Sequence, residues 1–136
     1  MHYAMKVWKQ LYLIVWLTFL QIIIILAPGL GTSLIDAHAL LGFIILGLAH
    51  YDYATLKRSA APNRLKRIAK STAVLATLQI ILGLILYTDV KLNVNVPFPQ
   101  LVIFLHLVIA LAIIAQASSV ATAFDMWEEH EYNPPK

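Results

Sequence analysis

The sequence predicts an all-α fold: an integral-membrane, up-down four-helix bundle built from two repeated helical hairpins. Three observations carry that expectation. The first is composition. The 136 residues are 60% hydrophobic and 12% charged, with a mean hydropathy of +0.76, whereas a soluble domain is about half apolar and about a quarter charged. The second is segmentation. Four stretches, at about residues 7–27, 34–56, 68–88 and 101–124, reach the roughly 20 mostly apolar residues that a bilayer-spanning helix needs. They use most of the chain, so 1–136 reads as a single transmembrane domain. The third is repetition. Leu20-Gln21-Ile22-Ile23 is identical to Leu78-Gln79-Ile80-Ile81, and His38-Ala39-Leu40-Leu41-Gly42 stands against His106-Leu107-Val108-Ile109-Ala110. The Gln-to-His interval is 17 residues in the first half and 27 in the second, the extra length falling in a connection. Each hairpin crosses twice, so the repeats are parallel, related by an axis along the membrane normal.

The first helix opens with Lys6 and Lys9 and stops at Pro28-Gly29, which cannot continue a helix. Its basic start and apolar core resemble a signal peptide. The core is longer than such a region needs, and "ILAPGLGTS" offers no small-x-small cleavage site, so the segment is expected to be retained. Thr32 or Ser33 is the expected cap of the second helix. That helix runs into "KRSAAPNRLKRIAK" (57–70), broken at "SAAPN" and holding six of the ten basic residues. The third helix ends before "NVNVPFP" (93–99), an extended loop. The fourth is followed by "FDMWEEHEYNPPK", read as a solvated acidic tail. The positive-inside rule puts the basic loop and both termini on the cytoplasmic side of the cell membrane. The other two loops are then outside, with Lys91 their only basic residue. Trp8, Tyr51, Tyr53, Tyr87, Phe98 and Trp127 fall near the expected interfaces, as aromatic belts do.

The net charge of +3 sits largely in one loop and gives no nucleic-acid footprint. The absence of cysteine removes disulfides, thiolate metal sites and thiol catalysis. No acidic residue is expected within a helix core, and no pair of Gly/Pro-broken helices occurs, which argues against a transporter or channel.

What demands explanation is the polar layer. His38 and His106 each lie about five residues into an expected helix, roughly 8 Å below its outer end. Gln21 and Gln79 approach the same end from below. The second and fourth helices are diagonal in an up-down bundle, so two neutral imidazoles face each other across the core at one depth. Axial ligation of one haem b from both sides suits that arrangement, since a neutral ligand avoids the cost of a buried charge. Gly42 and Ala110, four residues after each histidine, leave room for a macrocycle one turn deeper. Gln21 and Gln79 are placed to orient the imidazoles. Lys91, with Thr32, Ser33, Asn93 and Asn95, is available to propionates. Asp36 lies about 160° off the face of His38. The competing reading is a Gln–His–Gln–His network that only ties helices together, at about 0.6 kcal/mol per link on average.

His50 is about 18 Å deeper than His38 and about 120° round the helix, and the matching position in the second repeat is Ser118. With Tyr51 and Asp52 it reads as a marker of the inner interface. A second haem would need His2 or His130 as a partner, and the Glu128–Glu129–His130–Glu131 run reads as solvated.

"LQIILG" at 78–83, followed by an outer loop and "FLHLVIAL" at 104–111, resembles the third and fourth helices of a heme A synthase half. Four-helix b-type membrane cytochromes share the same histidine arrangement. The resemblance covers most of the chain and implies a bis-histidine haem on His38 and His106. The chain departs from the heme A synthase pattern at Ala39 and Leu107, where an arginine often follows the ligand, at Ile35, where a glutamate often stands, and in having no cysteine. Those departures set the expectation at electron transfer rather than enzymatic oxidation of a haem methyl group. Expected partners are the lipid bilayer and a quinol or other respiratory-chain component. A homo-oligomer or a larger membrane complex is a further expected assembly, and the alternative function is a haem-free accessory subunit of a larger respiratory or other membrane complex.

Overall fold

The computed structural model describes residues 4–26 and 31–132. They form four helices, α1 (Ala4–Leu26), α2 (Thr32–Arg58), α3 (Asn63–Leu92) and α4 (Pro99–Tyr132). Helix α1 packs on α2 and α4, and α3 packs on the same two, so α1/α3 and α2/α4 are the diagonals. All four are long and apolar enough to cross a membrane. This is the four-helix membrane bundle the hydropathy predicts. One end, the basic end, carries the α2–α3 turn and the ends of α1 and α4 nearest the chain termini. The other, the histidine end, carries the α1–α2 and α3–α4 connections.

The helices outrun their apolar windows. Helix α3 begins at Asn63 and passes through Arg64, Lys66 and Arg67. Helix α4 reaches Tyr132, so the acidic run expected to be a solvated tail is helical. A helix nucleated on an apolar segment adds one hydrogen bond per residue whatever the side chain's charge. The stop before α3 is built from Ser59, whose hydroxyl donates to the Leu56 carbonyl at 2.8 Å and accepts from the Ala61 N–H at 3.2 Å. Pro62, at φ −56°, is the N-cap of α3. The N-cap of α2 is Gly31, with no side-chain cap bond, so neither Thr32 nor Ser33 plays the capping role expected of it. Between α3 and α4, Asn93 takes the left-handed conformation (φ 51°) that asparagine tolerates. Asp89 Oδ1 accepts from the Val96 N–H at 3.2 Å, holding the loop against the end of α3.

Inward residues recur at alternating steps of four and three. On α1 they are Val7, Leu11, Ile14, Thr18 and Gln21; on α2, Ile45, Ala49, Asp52 and Leu56. On α3 they are Leu65, Ala69, Thr72 and Ala76, and on α4 Ala110, Ile113, Ala117, Val120 and Phe124. That spacing is the seam of left-handed helix packing. Extended toward the histidine end, the same steps reach Gly42 and His38, Gln79 and Gly83, and His106. Large apolar side chains such as Trp16, Phe43, Ile81 and Phe104 point outward instead, as suits a lipid-facing surface.

The two halves differ in closure. In the basic half small residues bring the helices together, and side chains link them: Tyr12 to Thr122 at 3.1 Å, His50 to Thr77 at 3.0 Å, and Thr72 to Gln116 at 3.2 Å. Among the described residues, none of α2 before Ile45, of α3 after Ala76 or of α4 before Ala110 is buried. The bundle is closed at the basic end and looser around the histidines.

Asp52 corrects two expectations. It is 1% exposed, inside the bundle rather than at an interface, and neither carboxyl oxygen has a hydrogen-bond partner. An acidic residue therefore does sit in a helix core. Leaving a buried polar group unsatisfied costs about 1–3 kcal/mol, and alanine is the best helix former. Asp52→Ala should therefore raise the thermal midpoint of the detergent-solubilised protein. A lower midpoint would show that the carboxyl is held by a favourable interaction.

Candidate functional site

The site lies on the inward seam of the looser half. His38 sits on α2 and His106 on the diagonal helix α4. Their ring centroids are 6.1 Å apart, with planes inclined at 50°. Two imidazoles bound to opposite sides of one metal atom, at about 2.0 Å per bond plus about 1.1 Å from nitrogen to centroid, would stand about 6.2 Å apart. The observed centroid spacing is close to that separation, with the Cε1 edges of the two rings turned toward α1 and α3. Among the described residues no group of three or more His, Cys, Asp or Glu gathers around a point. Two nitrogens alone leave the rest of a coordination sphere to a ligand that the protein does not supply.

Gln21, 9% exposed, ties α1 to α2. In the orientation that satisfies both ends of its amide, the oxygen accepts from the Gly42 N–H at 2.9 Å. The nitrogen then donates to the His38 carbonyl at 3.1 Å and lies 2.9 Å from Nδ1 and 3.1 Å from Nε2 of the same ring. The Cε1 edge of His38 thus faces the amide, which serves whichever ring nitrogen turns toward it. Gly42 is placed by packing as well: a Cβ there would lie 3.1 Å from Ile80 Cδ1 and 3.7 Å from Gln21 Nε2.

The second half has the same outline with fewer bonds. His106 turns its Cε1 edge to Gly83, where a Cβ would lie 3.2 Å from Cε1 and 4.0 Å from each ring nitrogen. Yet His106 Nδ1 and Gln79 Oε1 are both buried without a hydrogen-bond partner. Ala110, 5% exposed, lies one turn below His106.

Lys91 stands near the histidine end of α3 and pairs with Asp36 of α2, its ammonium 2.9 Å from Oδ1 and 3.0 Å from Oδ2. The Tyr87 hydroxyl donates to Asp36 Oδ1 at 3.0 Å. Asp36, off the histidine face as its spacing requires, anchors this cluster at the edge of the α2–α3 groove. The structure thus joins Gln21, His38, Gly42 and His106, sets Gln79 and Ala110 beside them, and gives Lys91 a carboxylate partner. Sequence reasoning did not single out Gly83, Asp36 or Tyr87 as a group. Gly83 was within reach, being four residues past Gln79 on the seam.

Comparison with known proteins gives no matching family model, no matching curated protein and no matching solved structure.

Proposed function

We propose that this chain is a small b-type haem membrane protein, holding one haem b between His38 and His106 and passing single electrons. The observation that carries the reading is the facing pair of imidazoles on diagonal helices, 6.1 Å between centroids. The residues present fit the group in three further respects. His106 Nδ1 is a buried polar atom without a partner. The seam around the rings is made of Gly42, Gly83 and Ala110. The half of the bundle that contains them is the looser one. Bound there, haem would supply a one-electron couple, with His38 and His106 as the residues that hold its iron.

The chain's own residues then have distinct tasks. His38 and His106 would hold the iron, and the Gln21 amide would turn its oxygen from the Gly42 N–H to accept the ring N–H left on His38. Gly83 lets His106 lie against α3. Between α2 and α3 a cleft of about 270 Å³, lined by Asp36, Ala39, Phe43, Leu84 and Tyr87, borders the helix face next to His38. Its apolar walls and carboxylate–phenol end suit a quinol headgroup as electron donor. The same reading places the histidine end outside and the basic end in the cytoplasm, by the positive-inside rule. It draws the chain toward the bis-histidine family that its sequence resembles, as an electron carrier rather than a synthase.

Titration of the purified protein with haem in detergent tests this. Uptake should saturate at one haem per chain. Unsaturable uptake, or two haems per chain, would overturn the single site.

The glycines give a sharper internal contrast. Gly83→Ala sets a methyl group 3.2 Å from the His106 ring and should weaken haem binding several-fold. Gly42→Ala meets the flexible end of Ile80 and should change binding by less than about twofold, on the order of 0.4 kcal/mol. Competition with a soluble haem acceptor measures both. The reverse ranking would place the ring that matters on the other side of the site.

A second reading rests on Gln21, whose bonds to His38 and Gly42 are closed without any ligand. A haem-free accessory subunit of a larger membrane complex would use that link to join α1 and α2. It predicts no haem uptake in the same titration.

A further inference from the structure

At the basic end, α2 and α3 diverge around an open cavity of about 540 Å³, lined by Tyr53 and Lys57 of α2 and by Asn63, Lys66, Arg67 and Lys70 of α3. Four of its six lining residues are cations and none is a carboxylate. The acidic partner seen in an ion pair among the described residues, Asp36, lies at the opposite end of α2. Lys66 directs one N–H to the Ser59 carbonyl at 2.8 Å, which fixes its stem across the turn and leaves its other two donors to the cavity. The first turn of α3 opens beside these cations without a side-chain cap, so its N-terminal dipole adds to the positive field. The charge is thus assembled from two helices around a concave space rather than spread along a loop.

The surface leading away from the cavity is apolar. From Lys70, steps of four and three up α3 reach Val74, Leu78 and Ile81, each 44–50% exposed. A cationic cavity at the head of an exposed apolar ridge matches a molecule with a phosphate at one end and hydrocarbon at the other. We propose that this cavity binds the phosphate headgroup of an anionic phospholipid, whose acyl chains lie along Val74, Leu78 and Ile81. Basic pockets between membrane helices on the cytoplasmic side take such headgroups through charge and hydrogen bonding together. The site is independent of the histidines and stands whether or not haem is bound there.

The test is native mass spectrometry of the full chain released from detergent. Phosphatidylglycerol and phosphatidylcholine with identical acyl chains are titrated separately. Two variants remove the same charge: Arg67→Gln/Lys70→Gln within the cavity, and Arg58→Gln/Arg64→Gln at the same end of the bundle but outside it. All four residues are exposed, so both variants should fold, and melting without added lipid checks that they do. The single Lys70→Gln, with a loss of several-fold, replaces the cavity pair should it not purify.

The expected result is one tightly held phosphatidylglycerol per chain, an affinity loss of about tenfold or more, or about 1.4 kcal/mol, in the cavity pair, and a loss below about threefold in the control pair. Equal losses in the two variants would replace the site with the diffuse field of the loop. Equal binding of phosphatidylcholine would remove the role of headgroup charge. Displacement of the lipid by millimolar inorganic phosphate would assign the cavity to a free anion instead.

Discussion

His106→Ala is expected to abolish haem retention through purification, and His50→Ala to leave it intact. His106 faces His38 across the bundle centre, with its centroid 6.1 Å away, and alanine would leave the iron with one protein ligand. The fold should survive the change. The residue is only partly buried, it lies in the looser half, and alanine favours the helix. His50 is exposed and bonds to Thr77 on α3 at 3.0 Å, in the closed half. Its loss removes one link between α2 and α3, worth about 0.6 kcal/mol on average in membrane bundles. Haem content and melting midpoint, measured on both variants, separate site from scaffold. Equal haem loss from the two would move the site away from the proposed pair.

Gln21→Leu should weaken haem binding about 10- to 100-fold, because on ligation the ring N–H left on His38 needs an acceptor, and the Gln21 amide oxygen, once turned from the Gly42 N–H, supplies it. Gln21 is the buried member of the polar layer, and its amide contacts the His38 ring, the His38 carbonyl and the Gly42 N–H. Leucine fills similar volume while offering the ring nothing. Gln79→Leu should behave differently, because Gln79 Oε1 has no partner to lose. It is expected to shift the haem's spectrum or potential without releasing it. A larger affinity loss at Gln79 than at Gln21 would mean that α3, not α1, positions the site.

The contrast between these glutamines shows what the sequence makes visible. Four apolar segments reveal four membrane helices because length and hydropathy suffice for that. Gln21, His38, Gln79 and His106 stand out because polar residues are rare among Leu and Ile. Which face of each helix turns inward is harder to read, since helices apolar all round carry no amphipathic stripe. In lipid the inward face is marked by small and polar residues, and here Ala49, Ala69, Ala73, Ala76, Ala117 and Ala121 are buried while Trp16 and Phe104 are exposed. Gly83 was therefore inconspicuous in "LQIILG", although the four-three steps from Ala76 and Gln79 lead to it. The same steps from Ile45 and Ala49 lead to Asp52, which its neighbours His50 and Tyr51 disguised as an interface residue. On α4 a further step of four from Phe124 reaches Glu128, which is 9% exposed although the surrounding run is acidic. Charge was read as a sign of water in both places; the seam decided otherwise for Asp52 and Glu128, while Glu129, His130 and Glu131 are exposed as expected.

The central claim is one haem with histidine on both faces. The visible absorption spectrum of protein expressed with ample haem and purified in detergent, recorded oxidised and then dithionite-reduced, tests it most directly. The account predicts a sharp Soret band, a resolved α-band on reduction, and no change when carbon monoxide is added, because both axial positions of the iron are taken. A high-spin spectrum that shifts with carbon monoxide would contradict the bis-histidine site, and a flat one would leave Gln21, His38, Gln79 and His106 as the polar ties of a haem-free bundle.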